Sequence, residues 1–228
     1  MKRESWKKLW PFMKVEQETT TNLHLVGELA VLRSKEMYDA EADYSWRIDP
    51  ELAELDATRP VSLSFNEYLR YHRDDVNYPS PWSVRMAIDT HDGRHIGNCM
   101  YYDINTDKSQ CELGIMIGDR DYWGKGYGTD VVKTVLAHIF TATEIERVYL
   151  HTLSHNYRAQ KSFAKAGISG VRAVKRDGYE FLLMEVWRQE WKAENADIVE
   201  VMASDSSKSP ISNSTNAAQS DTDLVQDP

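Results

Sequence analysis

The 228-residue chain is poor in cysteine. Cys99 and Cys111 are too few for a disulfide scaffold or a zinc cluster, and no Cys-x-x-Cys pair occurs. No apolar run approaches membrane-spanning length. Lys7, Lys8, Pro11 and Lys14 interrupt the apolar stretch that an export signal needs. Positive charge is also short: 36 Asp and Glu face 27 Lys and Arg, for a net charge of −9. Such a balance repels polyanions and disfavours a nucleic-acid partner. No internal repeat is visible. The expectation left by these absences is a cytoplasmic globular protein with no metal and no membrane span.

What remains is ordinary for a globular protein: 41% hydrophobic and 28% charged residues, enough for a substantial core. The ends differ in kind. Residues 1–21 read as a flexible arm, basic and aromatic through Lys2, Arg3, Trp6, Lys7, Lys8, Trp10 and Phe12. Such a segment suits an anionic membrane surface, but Pro11 and the short length favour a loose arm instead. Residues 193–228 hold Glu194, Asp197, Glu200, Asp205, Asp221, Asp223 and Asp227 against Lys208 alone. With few large apolar groups, this tail reads as disordered. The folded domain is expected over 22–192, as a monomer or homodimer.

Within it, Leu25 to Arg33 alternates and reads as the first strand. Lys35 to Asp43, Pro50 to Asp56 (capped by Asp49) and Ser64 to Asp75 read as helices. Strands are expected over Trp82 to Asp89, Arg94 to Asp103, Gln110 to Ile117 and Arg147 to Thr152. Asp92-Gly93 and Asp177-Gly178 mark hairpin turns, the second before a strand from Tyr179 to Trp187. Helices follow at Thr129 to Ala142 and Ala159 to Ala166. Strands first, then strand–helix–strand–helix–hairpin, give an α/β protein with a mixed sheet.

The densest signal is Tyr122-Trp123-Gly124-Lys125-Gly126-Tyr127-Gly128-Thr129. Glycine is costly inside regular structure, so three at alternate positions mark a sharp bend or a close approach. A strand precedes this loop and a helix follows. Free backbone N–H groups at a helix start favour an anion, so the ligand should carry phosphate. The spacing is too short for a P-loop. Gly-x-Gly-x-Gly also departs from the dinucleotide fingerprint.

The loop resembles that of the GNAT superfamily of acetyl-CoA-dependent N-acyltransferases, Arg/Gln-x-x-Gly-x-Gly/Ala. Gly126 and Gly128 take its glycine positions, and Trp123 stands at the Arg/Gln position. Tyr-Trp-Gly-Lys-Gly-Tyr is similar to the branch that acetylates ribosomal-protein N-termini and diamines. A second stretch, Asn156 to Ile168, matches Asn-x-x-Ala-x-x-x-Tyr/Phe-x-Lys-x-Gly-Phe/Ile in register. The resemblance spans about residues 22 to 192. It implies a GNAT fold, with a mixed, mostly antiparallel sheet flanked by helices.

The resemblance also implies acetyl-CoA as co-substrate and transfer of its acetyl group to a primary amine: a protein N-terminus, a polyamine or another small molecule. It assigns cofactor contacts to Met116, Ile117, Trp123, Gly124, Lys125, Gly126, Tyr127, Gly128, Thr129 and Asn156, and the base to Glu112. A capping role for Asn156 competes with its contact role. Phe163 stands where many relatives have a proton-donating Tyr. With Trp123, it favours an alternative, an acyl-CoA-binding sensor without turnover. No Cys or Ser is placed as an acyl acceptor, so direct transfer in a ternary complex is expected. The acidic, aromatic stretch from Met37 to Tyr78 suits a cationic amine. His91, His95, His151 and His155 read as surface groups.

Overall fold

The computed structural model describes residues 23–196. The expected arm over 1–21, and the expected tail beyond residue 196, lie outside the described residues. Eight strands form one sheet: β1 (His24–Val26), β2 (Ala30–Ser34), β3 (Ser83–Thr90), β4 (His95–Asn105), β5 (Gln110–Ile117), β6 (Arg147–Leu153), β7 (Ser169–Arg176) and β8 (Tyr179–Trp187). Their spatial order is β1-β2-β3-β4-β5-β6-β8-β7. Every neighbouring pair is antiparallel except β5 and β6. Helices α1 (Ala40–Arg47), α2 (Pro50–Leu55) and α3 (Phe65–Asn77) precede β3. Helix α4 (Tyr127–Ala142) joins β5 to β6, α5 (Tyr157–Lys165) joins β6 to β7, and α6 (Arg188–Glu194) follows β8. This is the α/β architecture expected, a mixed and mostly antiparallel sheet flanked by helices.

Helix α4 anchors one face of the sheet. Val131, Val132, Val135, Leu136, Ile139 and Phe140 are all buried, on one stripe at helical spacing. Three β-branched valines lower the intrinsic helix propensity, so packing holds this helix. It lies on Cys111, Leu113, Val148 and Leu150 of β5 and β6. Cys99 and Cys111 are free and buried within this layer, and burial pushes both thiols up to about 12. Trp191 of α6 packs on Phe140, with ring centroids 5.6 Å apart.

Three elements depart from the sequence reading. Leu25 to Arg33 is not one strand but the hairpin β1–β2, closed by a bond from Gly27 N–H to the Ala30 carbonyl at 2.8 Å. The cause is distant. The Asp130 carboxylate in the first turn of α4 accepts the N–H groups of Glu28, Leu29 and Ala30, at 2.9, 2.9 and 3.0 Å. The helix expected over Lys35 to Asp43 is a 3-10 turn, Met37–Asp39, leading into α1, because Asp39 turns inward to Arg33. Helix α6 was not foreseen, and it takes residues 193 and 194 from the expected tail.

Asp130→Ala leaves three N–H groups of the β1–β2 turn without their acceptor. The expected loss is about 2 kcal/mol of unfolding free energy, read as a lower urea midpoint at unchanged slope.

Candidate active site

The site begins where two strands part. Pairing between β5 and β6 covers only Gln110, Cys111 and Glu112 against Arg147, Val148 and Tyr149. Beyond Glu112, β5 pairs only with β4, while β6 pairs with β8 along its whole length. A wedge therefore opens inside the sheet, edged by backbone that lacks a partner strand. At its wide end Gly118 touches the ring of Trp46 from α1, and any Cβ there would collide with it. Met116 and Ile117, expected as cofactor contacts, behave differently. The Met116 carbonyl lies against Gly97 of β4. The Ile117 carbonyl accepts the Trp123 indole N–H at 2.6 Å.

The glycine loop follows a 3-10 turn at Arg120–Tyr122. Gly124 and Gly126 have φ of 72° and 96°, the left-handed region where a side chain strains the backbone. Gly126 is the N-cap of α4, and no side chain caps that end. The N–H groups at Tyr127, Gly128 and Thr129 thus have no helical acceptor. Among the side chains of the loop, few turn outward. The Tyr127 ring packs edge-on against Tyr122 at 5.1 Å, and the Thr129 hydroxyl bonds Ser162 of α5 at 2.9 Å. Lys125 lies 5.9 Å from the Tyr122 ring.

Trp123 carries no cation, but one stands on it. The Arg158 guanidinium lies 3.5 Å from the Trp123 ring centroid, and Arg120 lies 5.4 Å from it. Arg158 is in the first turn of α5, and burial lowers its pKa. The sequence reading passed over this residue, although it sits inside the quoted Asn156 motif. Asn156 Oδ1 accepts the Ala159 N–H at 3.2 Å, so the side chain caps α5. Phe163 is buried in the core, where it donates no proton.

Glu112 occupies the other face of β5, away from α4. It lies opposite Tyr102 on β4 and Tyr149 on β6. Burial first, then the Glu112 charge, raises the Tyr102 pKa. The same two causes raise Tyr149. His151, read as a surface group, instead bonds Glu112: Nδ1 lies 2.9 Å from Oε1. Thirty-nine residues separate the pair, and the signal was positional. Once β6 is set beside β5, His151 falls two residues past Glu112's partner, on the same face.

The acidic stretch is less open than its composition suggests. Asp39 and Asp43 are buried. Arg33 holds Asp39 and Asp89, each at 2.7 Å. Asp43 receives Lys35 Nζ at 2.6 Å, Asn98 Nδ2 at 2.7 Å and His95 Nε2 at 3.1 Å. His95 is therefore part of an internal network, not an exposed group. Arg120 covers Asp49 and Glu51, and Arg47 pairs with Asp56. This network seats α1 on β4, beside the wedge.

A splayed mixed sheet with an uncapped, glycine-led helix at the splay is the framework of an acyl-CoA-using transferase. The model of the acetyltransferase (GNAT) domain matches residues 30–169, and the chain belongs to that family. It is thus an enzyme of the GNAT acetyltransferase type. An uncharacterized N-acetyltransferase, p20 of Bacillus licheniformis, is 24% identical over 150 residues, covering 63% of this chain and 84% of the relative. Spermidine N-acetyltransferase from Vibrio cholerae, solved with CoA and spermine, superposes with a TM-score of 0.64 at 17% identity, covering 71% of this chain and 97% of that one. Aminoglycoside acetyltransferase AAC(6')-Ib, solved with coenzyme A, gives 0.61 at 19% identity, covering 72% and 98%. At such identities the two structures share the fold.

Burial alone would push the Asp43 carboxyl up, but its bonds from His95, Lys35 and Asn98 outweigh burial and bring it from 3.8 to about 2. A depressed folded pKa contributes stability above the ordinary value and loses it as pH falls through the folded one. Urea midpoints should therefore drop between about pH 4 and about pH 2. Asp43→Asn should start lower at neutral pH and show a shallower drop.

Proposed function

We propose that the chain transfers the acetyl group of acetyl-CoA directly to a primary amine, both substrates being bound together. The observation that carries this is the wedge between β5 and β6, with a glycine-capped helix start at its mouth and a buried carboxylate on its wall. Backbone N–H groups at Tyr127, Gly128 and Thr129, with the α4 dipole, suit the cofactor's pyrophosphate. Arg158 supplies the cation that Trp123 does not. Trp123 itself acts as a platform, and its indole holds the Ile117 carbonyl at the edge of the wedge. The Asn156 amide keeps its Nδ2 hydrogens for the pantetheine arm, since its cap bond uses only Oδ1.

The amine approaches from the Glu112 face, where a general base held at that carboxylate accepts its proton. Tyr102 and Tyr149 flank Glu112 with aromatic surface, which accepts a cation. A groove lined by Ser154, His155, Tyr157, Tyr179 and Glu180 runs past Gly178 of the last hairpin turn. The spermine and aminoglycoside ligands of the structural neighbours support a small cationic amine. With Asp39 and Asp43 internally paired, the attraction for that cation comes from Glu112 and its aromatic neighbours. None of the described helices is long and apolar enough to cross a membrane, and the two free thiols suit a reducing cytoplasm.

Calorimetric titration of acetyl-CoA, followed by thiol release on a panel of polyamines, amino sugars and N-terminal peptides, tests this reading. Wild type should bind and release thiol with at least one amine. Gly126→Glu should abolish binding, because it strains the left-handed cap and puts an anion at the phosphate site. Binding without turnover on any amine would favour the sensor reading instead. Arg158→Ala should weaken acetyl-CoA binding roughly 10-fold, the worth of one charge-assisted bond, and reduce its salt dependence.

A further inference from the structure

Glu112 is poorly placed to meet an amine itself. Its side chain is 7% exposed, and it already accepts from His151. A carboxylate can only accept, so His151 Nδ1 is the donor in that bond. A neutral imidazole with hydrogen on Nδ1 carries its lone pair on Nε2. No hydrogen bond reaches Nε2 among the described residues, yet no buried side-chain nitrogen is left without a partner. Nε2 must therefore open to solvent. The ring cannot swing freely, since Tyr149 and Phe181 pack edge-on against it at 5.9 and 6.1 Å. The charged and titratable groups around it are Glu112 on β5, Tyr102 on β4, Tyr149 on β6, and Arg176 of β7, which covers Phe181.

From this arrangement we infer that His151 Nε2 is the group that takes the proton from the incoming amine, with Glu112 as the positioning residue behind it. This rests on the transfer reading above. His151 lies on the stretch of β6 that has already left β5, beside the widening part of the wedge. The ammonium gives one proton to Nε2. The neutral nitrogen then forms its bond to the acetyl carbon as the carbon–sulfur bond breaks. The second nitrogen proton goes to the departing thiolate, and the imidazolium returns its own proton to solvent. Glu112 stabilises the imidazolium while it exists and fixes the tautomer before it forms.

The test uses the full chain and the amine that the panel identifies. His151→Ala should lower kcat about 10²- to 10⁴-fold, the usual worth of a general base, at unchanged acetyl-CoA affinity by calorimetry. Added imidazole should restore turnover in proportion to its concentration, because the vacated space lies against Glu112. Full turnover in the variant, or a loss that imidazole does not restore, would overturn the assignment. A second measurement needs no variant: nitrogen NMR of His151 in the wild type should show a protonated Nδ1 and a bare Nε2, and the opposite tautomer sinks the proposal. Glu112→Gln should lower kcat, since a neutral amide no longer stabilises the imidazolium. If wild type releases no thiol with any amine, the transfer reading fails while the tautomer still reports on the pair.

Discussion

Two neighbouring strands that share only three residue pairs set the terms for everything else in this molecule. Each is firmly held on its outer side, β5 by β4 and β6 by β8 over all seven of its residues. Only the inner edges separate. Unpaired backbone inside a sheet is costly unless something satisfies it. The chain satisfies part of it with the Trp123 indole on the Ile117 carbonyl. The rest of that edge has no partner strand among the described residues. The separation is braced from the far side, because Trp46 of α1 sits on Gly118 with no room for a Cβ between them.

That brace depends on charges turned mostly inward. Arg33, Lys35, Asp39, Asp43, Asp89, His95 and Asn98 form one connected network under α1. Buried ion pairs contribute little net stability, because desolvation offsets the attraction. Their effect is on placement: each partner removed leaves another buried and unpaired, so α1 has one seat. Composition suggests an acidic surface from Met37 to Tyr78, whereas the fold turns Asp39 and Asp43 inward to fix the helix. Charge counting along a sequence cannot separate the two uses.

Legibility followed range. The glycine loop was readable because its demand is local: Gly124 and Gly126 adopt backbone angles that other residues resist. The caps by Asp49 and Asn156 lie three residues from their partners and were equally visible in kind. The β1–β2 turn was not, since its acceptor, Asp130, lies about a hundred residues away. His151 was missed for the same reason. Its meaning depends on register across a parallel pair, which no local pattern encodes. A reader who had laid β6 beside β5 would have found His151 one step along from Glu112 on the shared face.

The two stretches that suggested the family turn out to be one object. Gly128 leaves just enough room for Ser162, whose hydroxyl bonds Thr129. Arg158 lies on Trp123. Helix α5 is thus docked onto the start of α4 by contacts drawn entirely from the two motifs. The cation missing from the loop at Trp123 is returned from the neighbouring helix, stacked on the very ring that displaced it. A flat indole suits this exchange, since it offers a face to the guanidinium and an N–H to the strand at once. The departure at Trp123 is then a redistribution of charge and not a loss of it.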